Sequence, residues 1–144
     1  MLKSRKGKPL DFEQIEKEIE KLCKKFGIEL FYIFGSYAKG KATPLSDLDV
    51  AFLARRKINT LSLLAELEKI FEEEAIEVID LKRAPLHLIF HVLKEGKCLY
   101  AESLEKKIEF ETRALCLYYD MENLREEYFA KLEHEIEHGP NWHR

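Results

Sequence analysis

Apolar residues recur along the chain with two periods, one typical of amphipathic helices and one of buried strands. Up to Gly27 they follow helical spacing behind a capping-box pattern at Asp11 and Gln14, which predicts a first helix. The next apolar run, residues 28–34, is short and bounded by glycines, which predicts a buried strand. Over residues 47–53, acidic and small side chains alternate with large apolar ones, so we predict a second strand there.

Helices and strands continue to alternate through the middle of the chain. We predict a helix capped by Thr60 and a third strand over residues 76–81. The next helix has Pro85 in its first turn and ends at Gly96. Residues 97–100 form a run short enough for an edge strand. The order of elements therefore predicts an α/β protein, more narrowly α+β, in which helices pack on a mixed β-sheet.

The C-terminal part of the chain is helical in pattern. From Ser103 onward apolar residues keep helical spacing, and we predict two helices that meet near Asp120. We therefore expect one domain, with a core over residues 1–101 and a helical C-terminal extension over residues 102–144. This extension is expected to pack on the core or on a partner.

The composition limits the class of protein. The chain has 144 residues, 46% of them hydrophobic, and its 24 basic and 27 acidic residues are interspersed, which excludes a surface that coats nucleic acid. We expect no direct binding of nucleic acid. No apolar run reaches the roughly 18 residues of a membrane span, so no membrane association is expected. The three cysteines lie far apart without metal-ligand spacing, which indicates reduced thiols in a cytoplasmic protein.

The candidate chemistry lies in Gly35-Ser36 and in the aspartates Asp47 and Asp49. A glycine directly after a buried strand lets the backbone approach a phosphate, and the amides beyond it can form an anion-binding turn. Two residues apart on a strand, both carboxylates point to one face, and their oxygens suit magnesium. The pattern predicts a site for a nucleotide triphosphate and two Mg²⁺ ions. The structural alternative is an ordinary turn beside solvated carboxylates.

These residues resemble the signature of the minimal nucleotidyltransferases in the DNA polymerase beta superfamily. The similarity runs nearly throughout residues 34–52 (FGSYAKGKATPLSDLDVAF) and continues in shorter matches within residues 77–85, 92–100 and 110–120. Proteins with this resemblance along their full length act as antitoxins paired with a small helical HEPN-domain ribonuclease toxin. The resemblance implies a nucleotidyltransferase fold and a metal-dependent protein adenylyltransferase that transfers AMP from ATP to a tyrosine of that toxin. It also implies a hetero-complex or another oligomer.

The resemblance further implies a third carboxylate from the neighbouring strand. In relatives this strand reads apolar-Asp-apolar-apolar-Asp-Leu, whereas this chain has Glu77 at the first acidic position and Asp80 at the second. A separation of three places them on opposite faces of a straight strand, so only one is expected to face the metals. The family register favours Glu77, with Asp80 as the rival. Lys39 stands where the family commonly has a basic residue, which implies a contact with the triphosphate.

Several alternatives stay open at the level of sequence. An antitoxin that silences the toxin by contact alone is one, and a nucleotidyltransferase for a small hydroxylated molecule is another. His134 and His138 have the spacing of helical metal ligands, but a surface role is favoured because no third ligand is placed nearby. The aromatic residues within 118–129 pack helices together or cover a partner surface.

Overall fold

Four strands and four helices make up the part of the chain that the computed structural model describes, residues 12–35, 48–72 and 75–139. In chain order they are α1 (Phe12–Phe26), β1 (Ile28–Phe34), β2 (Leu48–Ala54), α2 (Thr60–Phe71), β3 (Ile76–Asp80), α3 (Leu86–Glu95), β4 (Lys97–Ala101) and α4 (Leu104–His138). The predicted mixed sheet with helices packed on it is confirmed.

The strands form one sheet in the order β3-β2-β1-β4. β1 pairs antiparallel with both β2 and β4, whereas β2 and β3 are parallel. The two central strands are buried along nearly their whole length, which explains why both are almost continuously apolar. β4 lies at one edge, as its short apolar run predicts, and β3 lies at the other.

Helices cover both faces of the sheet and form two cores. On one face Phe31 and Phe52 pack with Ile19 of α1 and Phe71 of α2. On the other face Tyr32, Phe34, Ala51 and Leu53 pack with residues of α3 and α4, among them Val92 and Phe110. Alternation along β1 and β2 therefore decides which layer each side chain joins.

Two predicted helix starts were wrong in detail. Asn59, not Thr60, caps α2, because its side-chain oxygen accepts hydrogen bonds from the amides of Leu61 and Ser62 at 3.0 and 3.3 Å. Pro85 occupies the cap position immediately before α3 instead of its first turn. The predicted cap of α1, Asp11, lies outside the described residues.

The prediction of two C-terminal helices that meet near Asp120 was also wrong. α4 is a single helix of 35 residues, which begins after the Ser103 cap and ends before Gly139. Between those two residues the sequence contains neither glycine nor proline, so nothing breaks the backbone ladder. The division into a core over residues 1–101 and an extension over 102–144 stays a prediction. In the described ranges no helix is both long and apolar enough to cross a membrane; the cytoplasmic location stays a prediction as well.

Candidate active site

Gly35 follows directly on β1 and closely approaches the Asp49 carboxylate. Its φ of +74° lies in the left-handed region that glycine adopts without strain. A Cβ placed on this glycine would lie 3.3 Å from Cγ of Asp49 and closer still to one carboxylate oxygen. The end of β1 therefore has space for a glycine only, because the carboxylate of the neighbouring strand occupies the volume that a side chain needs.

Asp49 and Glu77 are direct neighbours across two parallel strands. Asp49 of β2 is the register partner of Phe34 on one side and of Glu77 on the other. Register partners in adjacent strands point to the same face, and adjacent strands lie about 4.8 Å apart. Both carboxylates therefore lie on the α3 and α4 face, at the end of the sheet where β1 leads into Gly35. We call this end, marked by Gly35, Asp49 and Glu77, the site end.

Asp80 lies away from this pair. Its register partner is Phe52, whose side chain belongs to the core on the opposite face. One oxygen of Asp80 accepts a hydrogen bond from the Lys82 amide at 3.0 Å, and the other lies 3.9 Å from Nε of Arg83. Asp80 thus anchors the turn after β3, at the opposite end of that strand from Glu77.

The remaining predicted site residues, Ser36, Lys39 and Asp47, lie outside the described residues. The described stretches bring no three His, Cys, Asp or Glu side chains into a metal-binding group, and among them no third ligand joins His134 and His138. Asp49 and Glu77 nevertheless form two thirds of the predicted carboxylate cluster. Two adjacent hard oxygen ligands fit a magnesium ion in their chemistry.

His91 borders the site end and was missed by the sequence analysis. Its ring meets Phe34 edge-on, with centroids 6.2 Å apart, and its Nε2 lies 3.6 Å from Oε2 of Glu95. Gly96 then packs tightly, because a Cβ there would lie 3.0 Å from the Ile33 carbonyl oxygen. The last turn of α3 is therefore held against the end of β1. Only the fold brings these residues together, and no local motif marks them.

The opposite end of the sheet, which we call the far end, carries an ion-pair network around the buried carboxylate of Glu29. Glu29 is 8% exposed, and its two oxygens lie 3.3 Å from Nε of Arg55 and 3.4 Å from Nζ of Lys106. Arg55 also contacts Glu102, which directly follows β4. This network ties β1, β2 and the start of α4 together.

The comparison with known families identifies the family of the chain. Residues 16–105 match the polymerase beta nucleotidyltransferase family, a span that contains Gly35, Asp49 and Glu77. The chain belongs to this family. The nucleotidyltransferase class implied by the resemblance is thereby confirmed, and a nucleotide is the substrate class of such enzymes.

Relatives with assigned names are similar to the chain over most of their length. The protein adenylyltransferase MntA of Shewanella oneidensis is 25% identical over 101 residues, which cover 69% of this chain and 72% of that protein. A putative protein adenylyltransferase of Methanocaldococcus jannaschii is 27% identical over 116 residues, 80% of this chain and 88% of that protein. A solved complex of a tri-AMPylated Shewanella oneidensis HEPN toxin with an MNT antitoxin shares the fold, with a TM-score of 0.63, 22% identity and coverage of 85% and 98%.

Proposed function

We propose that this chain is an antitoxin that neutralises a HEPN-family ribonuclease toxin by transferring AMP from ATP to a tyrosine hydroxyl of that toxin. The pairing of Asp49 with Glu77 beside Gly35 carries the proposal, because nucleotidyl transfer needs clustered carboxylates next to an open phosphate site. The names of the relatives support a protein as the acceptor, since one is a protein adenylyltransferase and another is an antitoxin bound to an AMPylated toxin.

The triphosphate is held by Gly35, Ser36 and Lys39 in this proposal. The positive φ of Gly35 and its close approach to the Asp49 carboxylate support this role, because they place the turn after β1 directly beside a proposed metal ligand. The Ser36 hydroxyl and the Lys39 ammonium add a hydrogen-bond donor and a positive charge. All three residues fall inside the stretch that matches the family.

The carboxylates of Asp47, Asp49 and Glu77 hold two Mg²⁺ ions. When bound, the ions neutralise the negative charge of the triphosphate and of the pyrophosphate that leaves. The strand register supports Glu77 as the third ligand, because its carboxylate shares a face with Asp49. Asp80, which sequence alone kept as the rival, is assigned to the turn after β3.

The transfer follows from these placements. The acceptor tyrosine oxygen attacks the α-phosphorus of ATP in line with the bond to the oxygen that bridges the α- and β-phosphates. A new bond between oxygen and the α-phosphorus forms, the bridging bond breaks, and pyrophosphate leaves with the bonding electrons. The phenolic proton passes to Glu77, whose carboxylate acts as general base within hydrogen-bond reach of the hydroxyl.

Co-expression tests the proposal. The chain is produced together with a HEPN-family protein from the same source, and intact-mass spectrometry of that protein counts the AMP groups added. We expect AMP adducts with the wild-type chain and none with a double variant, Asp47→Asn with Asp49→Asn. Circular dichroism should show that this variant is folded, because it removes like charges and not packing. A silenced toxin without adducts would instead indicate an antitoxin that acts by contact alone.

A titration tests the metal requirement separately. ATP is added to the wild-type chain with Mg²⁺ and with chelator, and calorimetry gives both affinities. We expect tighter binding with Mg²⁺, because the ions screen the triphosphate from the carboxylates. Equal affinities would contradict the two-metal assignment.

A further inference from the structure

α4 packs on the domain for only the first half of its length. Phe110 packs into the core on the α3 and α4 face of the sheet, and Ala114 is buried. The ring of Tyr118 stacks on that of Phe90 of α3, with ring centroids 3.8 Å apart. Beyond that stack the side chains are mostly exposed up to the end of the helix. We call residues 119–138 the arm. At about 1.5 Å per residue it extends about 30 Å.

The arm projects past the site end of the sheet. Near its start α4 contacts the beginning of β1, where Lys106 pairs with Glu29. Further along, Glu111 accepts a hydrogen bond of 2.8 Å from the Tyr32 hydroxyl. The helix therefore runs in the same direction as β1, from the far end towards Gly35. The arm, which continues this course, leaves the domain on the side of Asp49 and Glu77.

An apolar seam continues from the packed half of α4 into the arm. Its members recur with alternating steps of four and three residues, the spacing of a coiled-coil seam: Phe110, Ala114, Leu117, Met121, Leu124 and Tyr128. The first two pack against the domain, whereas the last four are 50–61% exposed. An exposed apolar seam with this spacing is the kind of surface that a partner helix covers, which indicates a helical partner.

The charge of the arm indicates what the partner is. It carries seven acidic and two basic residues, a formal net charge of −5 with histidine neutral. A second copy of the chain would bring two such arms together and place like charges side by side. Complementarity favours a different protein, whose helical surface has an apolar stripe edged by lysine and arginine.

We propose that the arm is the docking surface that holds the protein acceptor of this enzyme through a basic, apolar-striped helical face. The identity of the acceptor rests on the proposed function. The docking surface and its chemistry are inferred from α4 alone. A partner seated on the arm lies beside the carboxylate pair, which raises the local concentration of its hydroxyl at the site.

A pair of matched variants tests the arm. Leu124→Glu with Tyr128→Glu places charge in the seam at side chains that are 59% and 61% exposed, so the fold is retained. Leu61→Glu makes the same kind of change at a leucine of α2 that is 77% exposed. The affinity of each variant for the HEPN-family protein and for ATP is measured by calorimetry. We expect the seam variant to bind the protein at least about 10-fold more weakly and ATP normally, and Leu61→Glu to change neither.

A charge-reversal variant and a salt titration test whether the partner surface is basic. Asp120→Lys with Glu127→Lys changes two acidic residues that flank the seam, and we expect it to weaken binding of the protein as well. For the wild-type chain, raising the salt concentration should also weaken that binding. Affinity that rises or stays constant in both cases would overturn the assignment of a basic partner.

The outcomes separate this inference from the proposed function. If the wild-type chain transfers AMP while the seam variant binds and transfers normally, the arm proposal is overturned and the function stands. If the wild-type chain binds the protein through the seam without transferring AMP, the function fails and the arm stands. No binding by the wild-type chain would overturn the arm proposal, and so would a dimer in sedimentation velocity that the seam variant dissociates.

Discussion

Acidic residues lie at both ends of the sheet, in different structural settings. At the far end the Glu29 carboxylate is buried between Arg55 and Lys106, so its charge is compensated within the protein. At the site end Asp49 and Glu77 stand side by side on adjacent strands, and like charges placed directly opposite each other are unfavourable. A carboxylate thus supports the fold at the far end, whereas at the site end two carboxylates lie where the proposed function needs metal ligands.

This difference predicts that substitutions at the two ends of the sheet have different effects. A paired buried carboxylate is costly to disturb, because removing its partner leaves a charge without solvation. Two adjacent carboxylates repel each other, so neutralising one of them removes that repulsion. Substitution of a carboxylate at the site end should therefore affect catalysis more than folding, and substitutions at the far end should do the reverse.

The largest effect is expected from Glu77→Gln, compared with Asp80→Asn. If Glu77 completes the cluster and takes the proton, its loss should lower the rate of AMP transfer about 100-fold or more while ATP still binds. Asp80→Asn should retain nearly the full rate and cost at most about 1 kcal/mol of stability, because only the turn after β3 is affected. Incorporation of labelled AMP into the acceptor protein measures both. A normal rate in the Glu77 variant beside an inactive, folded Asp80 variant would reverse the assignment.

A smaller loss of activity is expected from Gly35→Ala, for which Gly27→Ala is the matched control. Both glycines have positive φ, +74° and +72°, so alanine should cost about 1–2 kcal/mol of strain at either position. A Cβ at Gly35 also collides with the Asp49 carboxylate, whereas a Cβ at Gly27 meets nothing within 4 Å. Only Gly35→Ala should lower AMP transfer, by about 10-fold or more. Equal losses of activity in both variants would show that strain, not the position of Asp49, is responsible.

The sheet follows from the sequence to a large extent, because its central strands are continuous apolar runs. Residues 28–34 were predicted as a strand and form β1, and the prediction of 47–53 stops one residue short of the end of β2. A short, continuous apolar run is typical of a strand that is buried on both faces. The prediction that α4 is two helices was wrong, because its apolar residues keep their spacing past Asp120 and neither glycine nor proline interrupts the helix.

The choice between Glu77 and Asp80 could not be made from local sequence. Alternation along β3 predicts that the two side chains point to opposite faces of the strand, but it does not predict which of them shares a face with Asp49. Which face holds Asp49 depends on the parallel register of β2 with β3, a contact between segments nearly thirty residues apart. His91 is hidden for the same reason, since its proximity to Phe34 arises from the packing of α3 and not from any motif.

At the far end, Arg55→Ala should lower stability and leave catalysis intact. Glu29 would lose one of two cationic partners, and because Arg55 is partly exposed and Lys106 remains, we expect a loss of about 1–2 kcal/mol. Arg56→Ala, at the neighbouring exposed position, should change stability by less than about 0.5 kcal/mol. Urea unfolding gives both values. A loss of AMP transfer in folded Arg55→Ala would mean that the two ends of the sheet are coupled after all.

The smallest effect concerns Tyr32, which lies between the two ends and joins β1 to α4. Its hydroxyl donates a hydrogen bond of 2.8 Å to Glu111, so Tyr32→Phe should cost about 1 kcal/mol near neutral pH, whereas Tyr128→Phe on the exposed arm should cost nothing measurable. Burial, and then the bond to Glu111, raise the pKa of Tyr32 above its ordinary value.

The raised pKa of Tyr32 determines how the stability of the protein should change at alkaline pH. Above about pH 10 tyrosine ionises in the unfolded chain but stays protonated in the fold, so its contribution to stability is complete below that pH and declines as the pH rises further. Urea unfolding measured at several pH values should therefore show a steeper alkaline loss of stability in the wild-type chain than in Tyr32→Phe. Tyr128→Phe should follow the wild-type curve. If the wild-type and Tyr32→Phe curves run parallel through this range, Tyr32 ionises equally in both states and its hydroxyl does not lock α4 to the sheet.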